Sequence, residues 1–223
     1  MKKLFLIPLA AMLLTACSKE SEDISFITNY AVFNLVGDDV VYVNIGDDYV
    51  EPGVSATENG EDVSSKIKVS TDFVKDEYGL FSVNYSIVNS DGYPATAGRE
   101  IVVVEPGDNG PQGYFFIHNT RDDVAEAYDL PICFCCTGEP GIYSVSDLIG
   151  GFYEQGRGYG SLYKVPGTIS IADDGTISLV ESEVCAGFGG MVEALTGTFN
   201  FDTKEFHISA TYLGMVFNMD YKL

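Results

Sequence analysis

The chain has 223 residues, with 33 Asp and Glu against 12 Lys and Arg, for a net charge of −21. A surface this acidic repels nucleic acid and anionic lipid headgroups, so neither is a fitting partner. Val, Ile, Tyr, Phe and Thr are plentiful, tryptophan is absent and no long helix-period run occurs, which predicts an all-β chain with room for two modest domains.

Lys2 and Lys3 precede an apolar or small run over residues 4–16, too short to cross a bilayer comfortably and flanked as secretory signals are. The residues Leu14-Thr15-Ala16-Cys17 resemble the lipobox of bacterial lipoproteins. That resemblance implies a signal peptide over residues 1–16 and a lipidated Cys17 as the mature N-terminus. Acyl chains then anchor the protein to outer-membrane lipid without spanning it, each buried methylene contributing about 0.8 kcal/mol. Residues 17–29 read as an acidic tether. Its opening, Cys17-Ser18-Lys19-Glu20-Ser21-Glu22-Asp23, resembles the export signal of lipoproteins sent to the outer leaflet of the outer membrane in gut-commensal anaerobes. The expected location is the cell-surface side of the outer membrane.

Residues 30–105 alternate. In LFSVNYSIV (80–88), Phe81, Val83, Tyr85 and Ile87 share one face, the period of a half-buried strand. Similar runs at 40–45, 66–70 and 99–104 are separated by turn-rich pieces such as Gly37-Asp38-Asp39, Glu58-Asn59-Gly60 and Ser90-Asp91-Gly92. Short strands at this spacing predict an immunoglobulin-like sandwich, without the Cys-Trp-Cys core of antibody domains. The stretch Gly46-x-x-Tyr49-x-x-Pro52-Gly53, followed by YSIVNSDGYPA (85–95) and Arg99, resembles a bacterial Ig-like domain of unknown function, whose recurrent residues imply a spacer or presentation module.

Residues 106–111 (Pro-Gly-Asp-Asn-Gly-Pro) have linker composition. Beyond them, residues 112–223 read as a β-rich domain closing into an antiparallel barrel or sandwich. Thr120 and Asp123 can cap two or three helical turns before Pro131. GTISIADDGTISLVE pairs two alternating runs across Ala172-Asp173-Asp174-Gly175, residues 198–201 and 205–212 do the same across Asp202-Thr203-Lys204, and residues 215–221 form a last strand. The glycine- and tyrosine-rich DLIGGFYEQGRGYG (147–160), with the closing YLGMVFNMDYKL, resembles the C-terminal domain of small surface lipoproteins encoded beside SusC/SusD-type nutrient-uptake pairs. The resemblance implies an accessory protein partnered with such an importer.

Little supports catalysis, and no enzyme is predicted. The two histidines, His118 and His207, sit inside alternating runs, no GxSxG or HExxH occurs, and Asp122/Asp123 and Asp173/Asp174 sit where capping and turn geometry explain them. Gly156-Arg157-Gly158-Tyr159-Gly160 lacks the strand-then-helix setting of a phosphate loop. Cys133, Cys135, Cys136 and Cys185 leave three readings open: buried apolar thiols, one disulfide between the first cluster and Cys185, or a metal site with a histidine, for which no spacing motif speaks. On a strand, Cys133 and Cys135 face one way and Cys136 the other. No cofactor or metal is expected.

Tyrosine gives the best candidate site. Tyr153, Tyr159 and Tyr163, interleaved with glycine and Arg157, either fill the barrel core, with the glycines allowing close backbone approach, or form a platform for sugar rings or extended peptides, because tyrosine offers a rigid apolar face with a polar tip. The expected function is capture of an oligosaccharide or oligopeptide for a SusC/SusD-like importer. The alternatives are a structural or interaction protein that docks on the importer, and a weak hydrolase. Capture calls for an open cleft lined by Tyr153, Arg157, Tyr159 and Tyr163, docking for a flat apolar patch, and hydrolysis for a histidine in a pocket beside a carboxylate or serine.

Overall fold

The computed structural model describes residues 28–221; the expected signal peptide, Cys17 and all but the end of the expected tether lie outside them. The first half is a two-sheet sandwich. One sheet orders β1 (Val32–Leu35), β3 (Val54–Glu58) and β4 (Glu61–Asp62). The other orders β2 (Val40–Asn44), β7 (Pro94–Val104), β6 (Gly79–Val88) and β5 (Lys68–Thr71), with β2 parallel to β7 and the remaining pairs antiparallel. The alternation along β6 sends Val83, Tyr85 and Ile87 into the interior, where Val43, Ile101, Ala56 and Val63 meet them.

One charge is carried into this core. The Arg99 side chain, on β7, is wholly buried, yet every face of its guanidinium is occupied: it donates to the Tyr85 hydroxyl (3.3 Å), to the carbonyls of Val36 (2.9 Å) and Asp38, and lies 3.5 Å from Glu51. Glu51 accepts from both Tyr49 and Tyr85 at 2.5 Å and from the Gly53 N–H at 2.9 Å. The Gly46–Gly53 stretch is thus a strap fastened through Glu51 to a buried cation.

The second half is a closed antiparallel barrel of eight strands: β8 (Gly113–Arg121), β9 (Ala127–Cys136), β10 (Ile142–Val145), β11 (Gly167–Ile171), β12 (Thr176–Ser182), β13 (Val192–Phe199), β14 (Phe206–Tyr212) and β15 (Met215–Tyr221), with β15 closing on β8. A barrel of this strand number has an interior about as wide as side chains can fill. Here Ile117, Phe134, Ile208 and Phe217 fill it together with Leu148, Ile149 and Phe152 from the β10–β11 connection, all at most 2% exposed. That connection contains a single π-helical turn (Phe152–Gly156) and a 3-10 turn (Ser161–Tyr163). It is held by Asp147, whose buried carboxylate accepts N–H groups from Ile149 (3.0 Å), Gly151 (3.1 Å) and Val165 (3.2 Å). The hairpin across Asp173-Asp174-Gly175 forms as predicted; Gly175 has φ +84°, and a Cβ there would stand 2.1 Å from the Phe199 carbonyl oxygen.

The helix expected after Thr120 is not formed. Thr120 belongs to β8, and residues 122–126 make the β8–β9 turn instead. Asp123 binds the guanidinium of Arg121 (2.6 Å) rather than capping a helix, and the Asp122 N–H reaches the Val216 carbonyl. Residues 105–112 also depart from their linker composition. Gln112 exchanges hydrogen bonds with the backbone of Glu105 (2.7 and 3.2 Å), Tyr143 donates to Asp108 (2.8 Å), and Lys204 reaches Asn109. The joint is pinned to the barrel end.

Candidate functional site

Four residues were expected to share a platform, and the structure divides them. Tyr153 is only 4% exposed, with its ring in the barrel core and its hydroxyl accepting from Arg121 (2.6 Å). Arg157 lies over the rings of Phe152 (5.2 Å) and Tyr153 (5.6 Å) and pairs with Glu126 at 3.3 Å. Tyr159 is 48% exposed and lies over Tyr153, its ring stacked at 6.0 Å and 18°. Tyr163 meets Tyr159 edge-on at 5.3 Å.

The fourth ring of the cluster comes from elsewhere. Phe188, in the β12–β13 loop, packs on Tyr163 (4.7 Å) and Tyr153 (5.0 Å) while remaining 46% exposed. Its sequence signal is a lone aromatic among the glycines of Ala186-Gly187-Phe188-Gly189-Gly190. Gly187 leaves room for the cluster, since a Cβ there would approach the Tyr163 ring to 2.5 Å. Leu162, whose carbonyl holds the Gly187 N–H, and Leu213, against Gly190, extend the exposed apolar surface; Val184 and Met191 flank the same loop. None of five surface cavities takes a lining residue from Tyr153, Arg157, Tyr159 or Tyr163. Among the described residues, the tyrosine-rich end of the barrel presents an aromatic face.

The other end of the barrel, beside the pinned joint, carries a cavity of about 520 Å³ that the sequence did not reveal. Asp173, Asp174, Asp202, Glu205, His207 and Asp220 line it with the edges of Phe199, Phe201, Phe206 and Tyr221. These residues come from two hairpin turns and the ends of β13, β14 and β15, which successive antiparallel pairing of β11 to β15 brings side by side. His207 Nδ1 is 2.8 Å from Asp220 on β15, and the same spacing joins His118 Nδ1 to Asp129. Cross-strand register sets the four side in a row, Asp129, His118, Asp220, His207, followed by Thr198. Thr198, His207 and Asp220 thus follow the order nucleophile, base, acid, but Thr198 makes no hydrogen bond to His207 among the described residues, and the imidazole is half-exposed.

All four described cysteines are free and buried. The disulfide to Cys185 considered above is not made, because Cys185 sits at the aromatic end, with its thiol toward the Leu162 carbonyl. Cys133 and Cys135 turn toward the sandwich, where Val102 packs on them, while Cys136 faces the barrel interior and donates to Asp108 at 3.3 Å. Among the described residues no cluster of three or more His, Cys, Asp and Glu has metal-binding geometry, and no helix is long and apolar enough to cross a membrane.

Residues 33–103 match the bacterial surface protein Ig-like domain, and residues 108–223 match the model of a C-terminal-domain family. The fold is similar to the crystal structure of the lipoprotein BT2262 from Bacteroides thetaiotaomicron, at 27% identity and TM-score 0.74 over 87% of this chain and all of that one. The domains CBM51-2, in complex with GlcNAc, and INT of Clostridium perfringens ZmpB give 14% identity and a TM-score of 0.29 over 86% of this chain and 44% of theirs, too remote in shape to carry an inference. Among curated proteins, none matches the chain. The Ig-like sandwich, the C-terminal domain matched over more than half of the chain and the likeness to BT2262 across both domains agree: the chain belongs to this C-terminal-domain family and is a cell-surface lipoprotein of the BT2262 type.

Proposed function

We propose that this lipoprotein is a non-catalytic adaptor of the outer-membrane surface, whose barrel docks through its aromatic face on a partner protein, with a SusC/SusD-like importer as the first candidate. The observation that carries this reading is the exposed cluster of Tyr159, Leu162, Phe188 and Leu213. A contiguous apolar patch on a soluble domain marks an interaction surface. It also runs against the composition: in a chain with 33 carboxylates an acidic cavity is close to what chance supplies, whereas a gathered aromatic surface is not. Aromatic side chains dominate the energy of protein interfaces, and Tyr159 and Phe188 are already ordered by their neighbours, which lowers the entropic cost of docking.

The capture reading has its own support in the near-parallel stack of Tyr159 on Tyr153 with Arg157 at the cluster's edge, an arrangement that suits the face of a sugar ring. One experiment separates the two. A photo-crosslinking residue placed at Leu162 in cells, followed by identification of the adduct, is expected to trap a surface protein, and Tyr159→Ala with Phe188→Ala to abolish the adduct. Calorimetry of the purified chain against glycans and oligopeptides is expected to show no binding. A glycan or peptide whose binding is lost in Tyr159→Ala and Arg157→Ala would overturn docking in favour of capture.

A further inference from the structure

Cys133 and Cys135 lie two residues apart on β9, on the face turned toward the sandwich, with their sulfurs 3.7 Å apart. Both are nearly inaccessible in themselves, yet they border a cavity of about 380 Å³ between the domains, which Leu80, Ser144, Ser146, Lys164, Glu181 and Glu183 also line. The pair is rigidly held. The Cys133 N–H donates to Ser146 Oγ (3.0 Å), and Cys135 is registered opposite Ser144 on β10.

A disulfide is a poor use of this geometry. Residues i and i+2 of an extended strand have Cα atoms about 6.6–6.8 Å apart, the upper limit of what a disulfide spans, about 6.8 Å. Closing one would compress β9 against the ladders on both sides. A tetrahedral d10 cation needs no such compression: two metal–sulfur bonds of about 2.3 Å at the tetrahedral angle put the sulfurs about 3.8 Å apart. Soft thiolates select such ions. Binding is balanced by the loss of one proton from each thiol to solvent, and the resulting bis-thiolate complex of a divalent ion is neutral, the charge state a buried seam tolerates best.

We infer that Cys133 and Cys135 form a two-thiolate site for zinc(II) or a thiophilic congener, with the remaining coordination positions open to the cavity between the sandwich and the barrel. The sulfurs already lie within hydrogen-bond distance of each other, at 3.7 Å. An ion here sits where Val102 of the sandwich touches the barrel, so occupancy tightens the seam.

The test is titration of the purified, reduced full chain with cadmium(II) under anaerobic conditions, read by sulfur-to-cadmium charge-transfer absorption. One ion per chain is expected, with a band intensity of two thiolates and a higher melting temperature. Cys133→Ser with Cys135→Ser is expected to weaken binding at least 100-fold, whereas Cys136→Ser with Cys185→Ser leaves it unchanged. The intact chain makes the inference falsifiable even if the double variant folds poorly: absence of the band, or a band that disappears in Cys136→Ser with Cys185→Ser, overturns it.

Discussion

A buried carboxyl, Asp147, and a half-buried one, Glu51, set opposite pH behaviour at single residues. Burial pushes Asp147 up to about 7, despite the three N–H groups that favour its carboxylate. A free Asp titrates near about 3.9. Between those values the folded chain keeps a proton that the unfolded chain has released, so stability contributed below about pH 4 is withdrawn as pH rises through about 7. Thermal melts at pH 5 and pH 8 are expected to show a loss of roughly 2–4 kcal/mol in the parent that Asp147→Asn lacks. Asp147→Asn is also expected to be less stable at pH 5, because its amide nitrogen cannot accept the N–H bond that the second oxygen of the acid accepts. In the sandwich, burial pushes the Glu51 carboxyl up, but hydrogen bonds from Tyr49, Tyr85 and Gly53, with the Arg99 charge, outweigh it and hold the carboxyl below the usual range. Its contribution is present above the unfolded carboxylate value and is lost as pH falls through the lower folded one. Arg99→Met strips this network of its cation and leaves buried acceptors unpaired; a loss of about 3–5 kcal/mol by denaturant melting is the expected outcome.

Among the elements, the hairpins rest on a few glycines whose demands differ. Gly175→Ala is expected to cost more than about 3 kcal/mol, since a left-handed backbone and a collision with the Phe199 carbonyl oppose the methyl together. Gly158→Ala, equally left-handed but facing open space, is expected to cost only about 1 kcal/mol. Chemical denaturation of the two variants checks the contrast. These hairpins were legible because a period of two and a turn residue are local signals, and the same holds for Val83, Tyr85 and Ile87 on β6. The false helix came from equally local marks. Thr120 and Asp123 look like caps, but Arg121 can reach both Asp123 and Tyr153 only from the end of a strand. The candidate site was legible in part. Tyr159 is exposed as a platform residue should be, while Tyr153 is core, a difference that a glycine-rich stretch without period cannot announce. Phe188 and the acidic cavity were illegible because each gathers residues from separate loops and strand ends, whose meeting depends on tertiary packing and strand register and not on any local pattern.

For the whole molecule, the joint decides whether the two domains move as one. Asp108 accepts from Tyr143 and Cys136 and helps to push the Tyr143 hydroxyl well above its ordinary value, after burial itself. Across the seam, Tyr114 of the barrel donates to Glu100 of the sandwich at 2.6 Å. Asp108→Ala with Tyr114→Phe is expected to free the joint, seen as faster proteolysis within residues 105–112 and as a broader small-angle scattering profile, with each domain still folded. The closure of β15 on β8 has a different kind of consequence. Six strands separate these two partners along the chain, so the first wall of the barrel must wait, with one edge unpaired, until all six have been laid down beside it. Closing so long a loop is slow, and an open edge invites the wrong neighbour. The sandwich stands ready next to that waiting wall: Val102 and Glu100 cover β8 and β9 from outside. The sandwich thus covers a face of β8 and β9 but not the edge of β8 that pairs with β15, so that edge is the one left open until the last strand arrives.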